Sequence, residues 1–338
     1  KLYITGGIGS RPQGEGFGPN YELNNHTNYC ETCAAIANVY WNHRMFLATG
    51  NAKYADVLER ALYNGVISGV SLSGDKFFYD NPLESMGQHG RQRWFGCACC
   101  PPNIARVLTS LGHYIYTPHQ DALYINLYVG NSAEIPVGDE TLRLRISGNY
   151  PWQEQVTITI ESPQAVDHTL ALRLPDWCDK PQVTLNGAPV TQDVRKGYLH
   201  ISHLWQEGDT LQLTLPMPVR RLYGNPLVRH QAGQVAVQRG PLVYCLEQAD
   251  NGEQLHNLQL PRDARFSTVE GKGIFARKIL LQAPGYKQTA EDAENQALWH
   301  YDRAPSSRQP QVLTFIPWFS WANRGEGEMR IWVNEAEA

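Results

Sequence analysis

The run Cys97-Ala98-Cys99-Cys100-Pro101-Pro102 puts three thiols within four residues, and Glu31-Thr32-Cys33 sets a carboxylate and a thiol two positions apart. Zinc is satisfied by four ligands drawn from thiolates, imidazoles and carboxylates. Glu31, Cys33, Cys99 and Cys100 would supply such a set from two clusters about 66 residues apart. Cys99 and Cys100 lie just before a proline-marked helix start, where the helix dipole and a cation would both favour thiolate. One geometric difficulty stands out. Residues i and i+2 of a regular helix point to different sides, so Glu31 and Cys33 are expected in a cap or a distorted first turn. Each motif also has a plainer reading. The cysteine run suits a structural zinc or a set of buried thiols, Glu31 a solvated helix-start carboxylate, and Glu15, in Gly14-Glu15-Gly16-Phe17, a loop carboxylate. Gly6-Gly7-Ile8-Gly9-Ser10 has the composition of a phosphate cradle but lacks the strand-then-helix context.

The elements that must position these groups change character near residue 120. Before it the spacing is helical. Cys33, Ile36, Ala37, Tyr40, Trp41 and Met45 mark a helix within residues 28–49, with Gly50 placed to end it. Tyr54, Val57, Leu58, Leu62 and Val66 mark a second over 52–67, close enough to pack as a helical hairpin. A third begins at Pro101-Pro102 and runs through Ile104, Val107, Leu108, Leu111 and Ile115. After residue 120 the period falls to two, as in Thr141-Leu-Arg-Leu-Arg-Ile146 and Thr169-Leu-Ala-Leu-Arg-Leu174. Gly and Pro punctuate these runs, which predicts antiparallel sandwiches. A polar, less periodic stretch covers residues 285–310, and strands are expected near 312–316 and 328–333.

Composition excludes some partners. A net charge of -4 and a pI near 6.3 leave no footprint for nucleic acid. No apolar run approaches the roughly 20 residues that span a bilayer, so no membrane partner is expected. Seven cysteines, an odd number and clustered, make a poor disulfide framework, which predicts a reducing compartment, the cytoplasm. The opening Lys1-Leu2-Tyr3-Ile4 resembles the interior of a longer protein.

Taken in order, the motifs resemble one family. Tyr3-Ile-Thr-Gly-Gly-Ile-Gly-Ser10, Gly14-Glu-Gly-Phe17, Tyr29-Cys-Glu-Thr-Cys-Ala34, Tyr54-Ala-Asp-Val-Leu-Glu-Arg-Ala-Leu-Tyr-Asn64, Phe77-Phe-Tyr-Asp-Asn-Pro-Leu-Glu84, Trp94-Phe-Gly-Cys-Ala-Cys-Cys-Pro-Pro-Asn103, Arg239-Gly-Pro-Leu-Val-Tyr-Cys-Leu-Glu247 and Met329-Arg-Ile-Trp332 are similar to glycoside hydrolase family 127, the β-L-arabinofuranosidase family. The resemblance covers nearly the whole chain. It implies a multidomain α-then-β fold: the C-terminal half of an (α/α)6 barrel (1–118), a first β-sandwich (119–225 with 323–338) and a second, inserted β-sandwich (226–322). It implies Zn2+ on Glu31, Cys33, Cys99 and Cys100, with Cys99 as nucleophile, Glu15 as acid/base, and Glu59 and Tyr79 lining a sugar pocket. The family's sugar-contacting histidines have no counterpart here, so the chain is expected to be a fragment that is inactive alone and, with apolar helix faces uncovered, poorly soluble.

The substrate this implies is an L-arabinofuranosyl oligosaccharide or glycoconjugate, cleaved with retention. Two other readings stay open: the same centre acting on another furanose-like or branched acidic sugar, and a non-catalytic carbohydrate-binding protein with structural zinc. The aromatic-rich β domains, with Trp152, Trp177, Trp205, Trp318 and Trp321, offer core, glycan or homodimer surfaces.

Overall fold

A computed structural model describes residues 1–119, 121–289 and 307–337 of the chain. Part of the polar stretch expected at 285–310 therefore lies outside the described residues.

Helix α1 spans Thr32–Thr49 and ends where Gly50 turns left-handed (φ 63°) and donates its N–H to Phe46 O at 2.7 Å. Asn51 caps helix α2, Ala52–Arg60, by accepting from Lys53 N at 3.0 Å. The run then widens into a π-helical turn, Ala61–Val66. Helix α3, Cys100–Thr109, carries prolines in its first turn, where a missing N–H costs nothing. It breaks before a short helix at Gly112–Ile115, so the long third helix expected from the spacing is two pieces.

These helices do not form half of an (α/α)6 barrel, and that expectation is corrected: the described residues are mostly β, with no helical barrel. The cause lies in what the apolar stripes meet. Ile36, Val39, Leu58, Leu62, Ile104 and Val107 belong to a core that continues into the first β unit, and Phe46 of α1 and Ala52 of α2 pack with Ala122 and with Ala171 and Tyr198 of its five-stranded sheet. The helices thus bury their faces on a sheet as well as on each other. Residues 1–30 and 70–98 are mostly loop, with isolated bridges, the short turn Gln13–Glu15 and the three-residue strand Glu84–Met86.

The first β unit is a sandwich. Five strands (Val194–Arg195, Tyr198–Trp205, Val166–Arg173, Leu123–Ile125, Tyr116–Pro118) face six (Asn131–Val137, Glu140–Gly148, Gln155–Ile160, Thr210–Thr214, Gln182–Leu185, Ala188–Pro189). The alternation works as the pleat requires: Leu142, Leu144 and Ile146 are buried while Thr141, Arg143 and Arg145 are exposed.

The second β unit differs from expectation. It is one ten-stranded sheet among the described residues rather than a second sandwich. Leu242–Glu247, Ser307–Pro317, Ile279–Thr289, Leu258–Pro261, Val333–Ala336 and Gln234–Arg239 pair in sequence, and the last pairs back to the first, closing a ring. The closing strands, expected to return to the first β unit, instead pair here: Val333–Ala336 with Gln234–Arg239 and Leu258–Pro261, and Glu328–Arg330 with Leu242–Glu247. Even Glu84–Met86, from the loop segment, joins this sheet beside Glu328–Arg330. Strand Leu242–Glu247 is buried on both faces. Leu242, Tyr244 and Leu246 point into the ring, while Val243 and Cys245 pack with Tyr3, Cys30, Phe78, Trp318 and Trp321. The loop segment that carries the cysteines is thus anchored on the outside of the closed sheet. No described helix is long and apolar enough to cross a membrane.

Candidate metal and catalytic centre

Two helix starts converge to make the centre. Glu31 is the N-cap of α1 with extended backbone (φ -57°, ψ 140°), and Cys33 is its second helical residue. That extended residue removes the i, i+2 difficulty, because Glu31 is not on the helix and its carboxylate can turn toward Cys33. Cys99 is the N-cap of α3, and Cys100 its first residue. The positive ends of both helices therefore face the same four acidic groups.

The four ligand atoms lie within 4.8 Å of one another. Cys33 Sγ is 3.5 Å from Cys99 Sγ, which is 3.7 Å from Cys100 Sγ. Glu31 Oε1 is 3.2 Å from Cys99 Sγ and 3.4 Å from Cys100 Sγ. Glu31 and Cys100 are buried, whereas Cys33 and Cys99 are partly open. This cluster could hold a metal ion. The thiols are unequal. Hydrogen bonding, from Cys100 first, pulls Cys33 down to about 6. Burial first, and then the acidic neighbour Glu31, push Cys99 up to about 11 despite the Tyr79 hydrogen bond. Cys100 is raised, chiefly by its bond to Cys33 and then by burial.

Tyr79 reaches this cluster: its hydroxyl lies 2.8 Å from Cys99 Sγ, and its ring packs edge-on against Phe95. The bond to Cys99, then burial, raise the phenol well above its usual range, so it stays protonated. Glu15 is exposed, in a left-handed backbone conformation (φ 51°). Its Oε1 accepts from Tyr29 OH at 3.1 Å, and the Tyr29 ring lies 6.4 Å from that of Tyr79.

Glu59 is placed differently. It is 1% exposed. Its carboxylate accepts from Tyr150 OH at 2.5 Å and Trp177 Nε1 at 3.1 Å, and pairs with Arg173 at 2.5 Å. These partners all belong to the first β unit, so Glu59 ties α2 to that sandwich.

Two residues that sequence reasoning passed over hold the centre in shape. Asn81 is buried; its amide donates to Cys30 O at 3.0 Å and Thr32 Oγ1 at 2.9 Å, and accepts from Ser68 Oγ at 2.7 Å. Its N–H binds Tyr29 O at 3.1 Å, and Thr32 N binds Tyr79 O at 2.8 Å, so segments 29–32 and 79–81 are laced together. Tyr29 is the second. Its place beside Cys30-Glu31 was a signal, but nothing in the local pattern pairs it with Glu15. Gly6 also has a structural use: a Cβ there would lie 2.4 Å from Ala61 Cα, so the glycine run lets the loop cross the π-turn.

Comparison with known proteins adds three family models in chain order. They are the GH127 β-L-arabinofuranosidase catalytic domain over residues 1–113, the GH127 middle domain over 122–217 and the glycoside hydrolase family 127 C-terminal domain over 219–334. A non-reducing end β-L-arabinofuranosidase from Bifidobacterium longum subsp. longum is 36% identical, over 98% of this chain and 53% of its own length. Among solved structures, a GH127 β-L-arabinofuranosidase from Geobacillus stearothermophilus T6 superposes with a TM-score of 0.94 at 44% identity, over 99% of this chain and 55% of that one. A GH127 β-arabinofuranosidase superposes with a TM-score of 0.92 at 40% identity, over 99% and 54%. The chain spans about half the length of these relatives.

Proposed function

Because the chain belongs to glycoside hydrolase family 127, we propose that it carries the reacting centre of a retaining β-L-arabinofuranosidase that removes terminal L-arabinofuranosyl units. The observation that carries this reading is the donor cluster with Tyr79 bonded to its partly open member, Cys99. The donor set suits zinc. Zinc–sulfur bonds of about 2.3 Å in a tetrahedron leave sulfurs ~3.8 Å apart, close to the separations of 3.5 and 3.7 Å seen here. Glu31, Cys33, Cys99 and Cys100 would hold the ion, and thiolate character at neutral pH is the chemistry it supplies when bound.

Cys99 is the nucleophile. Its sulfur attacks the anomeric carbon as the bond to the leaving oxygen breaks, and Glu15 gives that oxygen its proton. Glu15 then takes a proton from water, whose oxygen displaces the sulfur and returns the thiolate. Two inversions give net retention. The Tyr79 hydroxyl holds Cys99 Sγ in a fixed direction, and Cys100, fully buried, is left to a holding role.

The direct test, made on the full-length protein, is metal content together with release of arabinose from an aryl β-L-arabinofuranoside. About one zinc per chain, with arabinose released and the sugar trapped on Cys99 under rapid quench, is the expected result. Zinc without release from this substrate or other furanosides would reduce the centre to a structural metal.

A further inference from the structure

Glu15 is a poor acid/base as it stands alone. It sits exposed on the short turn Gln13–Glu15, with left-handed backbone at Gly14 and at Glu15 itself. A free glutamate on such a turn samples many rotamers, whereas proton transfer needs a carboxyl within about 0.5 Å of its productive place. Among the described residues, the side chain that hydrogen-bonds this carboxylate is Tyr29, whose hydroxyl donates to Oε1 at 3.1 Å. Tyr29 is itself held. Its carbonyl accepts from Asn81 N at 3.1 Å, and its ring rests against Tyr79, which bonds Cys99. Two residues further along the same backbone comes Glu31 of the metal cluster.

From this geometry we infer that Tyr29 is a positioning residue: its hydroxyl fixes the Glu15 carboxylate against the Cys99 centre, so that proton donation and sulfur attack are registered by one stretch of backbone. This rests on the reading of Glu15 as acid/base given above. The hydroxyl matters to the reaction only through Glu15, so its loss should be felt where the leaving oxygen needs a proton and not where it departs unaided.

The test uses Tyr29→Phe, which keeps the ring and removes only the hydroxyl, with Glu15→Gln as reference. Each is made in the full-length protein and assayed on a 2,4-dinitrophenyl and an alkyl β-L-arabinofuranoside. For Tyr29→Phe, kcat/KM on the alkyl glycoside is expected to fall about tenfold and on the dinitrophenyl glycoside hardly at all, with zinc content unchanged. In the Glu15→Gln background the same substitution should add almost nothing. An equal loss on both substrates, no loss on either, loss of zinc, or full additivity with Glu15→Gln would each overturn the assignment. The two levels fail separately. If Glu15→Gln itself shows no dependence on leaving group, the acid/base reading falls. If it does and Tyr29→Phe does not, only the positioning role falls.

Discussion

At the level of single residues, the four donors have different burial, and this predicts different mutant behaviour. Cys99 is partly open and bonded to Tyr79, while Cys100 is buried beneath it at the start of α3. Replacing Cys99 by Ser should cut turnover by at least ~1000-fold while Glu31, Cys33 and Cys100 retain most of the metal. Replacing Cys100 by Ser puts a hydroxyl in the buried position and should lose metal and activity together. Metal content by atomic absorption, read beside activity, separates the two. A Cys99→Ser variant with near wild-type turnover would end the nucleophile assignment. The tetrad was legible in the sequence because thiols crowded into four residues have few other uses. Tyr79 entered only through resemblance, since one tyrosine in Phe77-Phe78-Tyr79 carries no signal of its own. Tyr29 and Asn81 were not legible, because their partners are set by the crossing of two loops.

The elements explain why Glu59 lies elsewhere. On α2, Asp56 and Glu59 are three positions apart and so share a face, and both meet Arg173 of strand Val166–Arg173. Its guanidinium is fully buried, 2.6 Å from Asp56 and 2.5 Å from Glu59. The strand's alternation held the clue: Leu170 and Leu172 face the sandwich interior, which leaves Ala171 and Arg173 toward the helices. A buried arginine on that face demands acids from whatever covers it. Glu59→Ala should therefore cost about 3 kcal/mol of stability, read as a lower urea midpoint, because it strips acceptors from Arg173, Trp177 and Tyr150.

Asp56 gives this latch a pH dependence. Burial raises it to about 6, outweighing the pull of Arg173. A carboxyl raised in the folded state binds its proton more tightly there than in the unfolded chain, so its contribution is full below ~4 and is lost as pH climbs through about 6. Relative to Asp56→Asn, the wild type should lose roughly 2 kcal/mol between pH 4 and 7. A gap between the two urea midpoints that is flat across that range would show the pair ionised throughout. Periodicity located α1, α2 and the start of α3. It could not say what the helices pack on: wide apolar stripes suit a helical barrel or bundle wall as well as a sheet, and the resemblance named the (α/α)6 barrel.

Across the whole molecule, the closed sheet and the reacting segment are one folding unit. Tyr3, Cys30, Phe78 and Leu83 of the loop segment share a core with Trp318, Trp321, Met329 and Ile331. Arg91 reaches across, donating to Ser68 O on one side and to Phe319 O and Trp321 O on the other, with Phe78 stacked on its guanidinium at 4.1 Å. Asn64 of the π-turn donates to Pro241 O and accepts from Val243 N, both at 2.9 Å. The contacts that cross from this segment to residues beyond 240 were not visible in the sequence, because each joins residues more than 170 positions apart and no local period reports such pairing. Cys30 and Phe78 each adjoin a site residue, Glu31 and Tyr79. Opening this core would free the two segments that Asn81 laces together, and the metal donors would lose their spacing. Deleting residues 219–338 is therefore expected to abolish zinc binding and the cooperative unfolding transition, although every proposed ligand and catalytic group remains in the shortened chain. Zinc titration with circular dichroism decides it. A shortened chain that still binds zinc tightly and melts cooperatively would show that the closed sheet is an attachment and not part of the centre's scaffold.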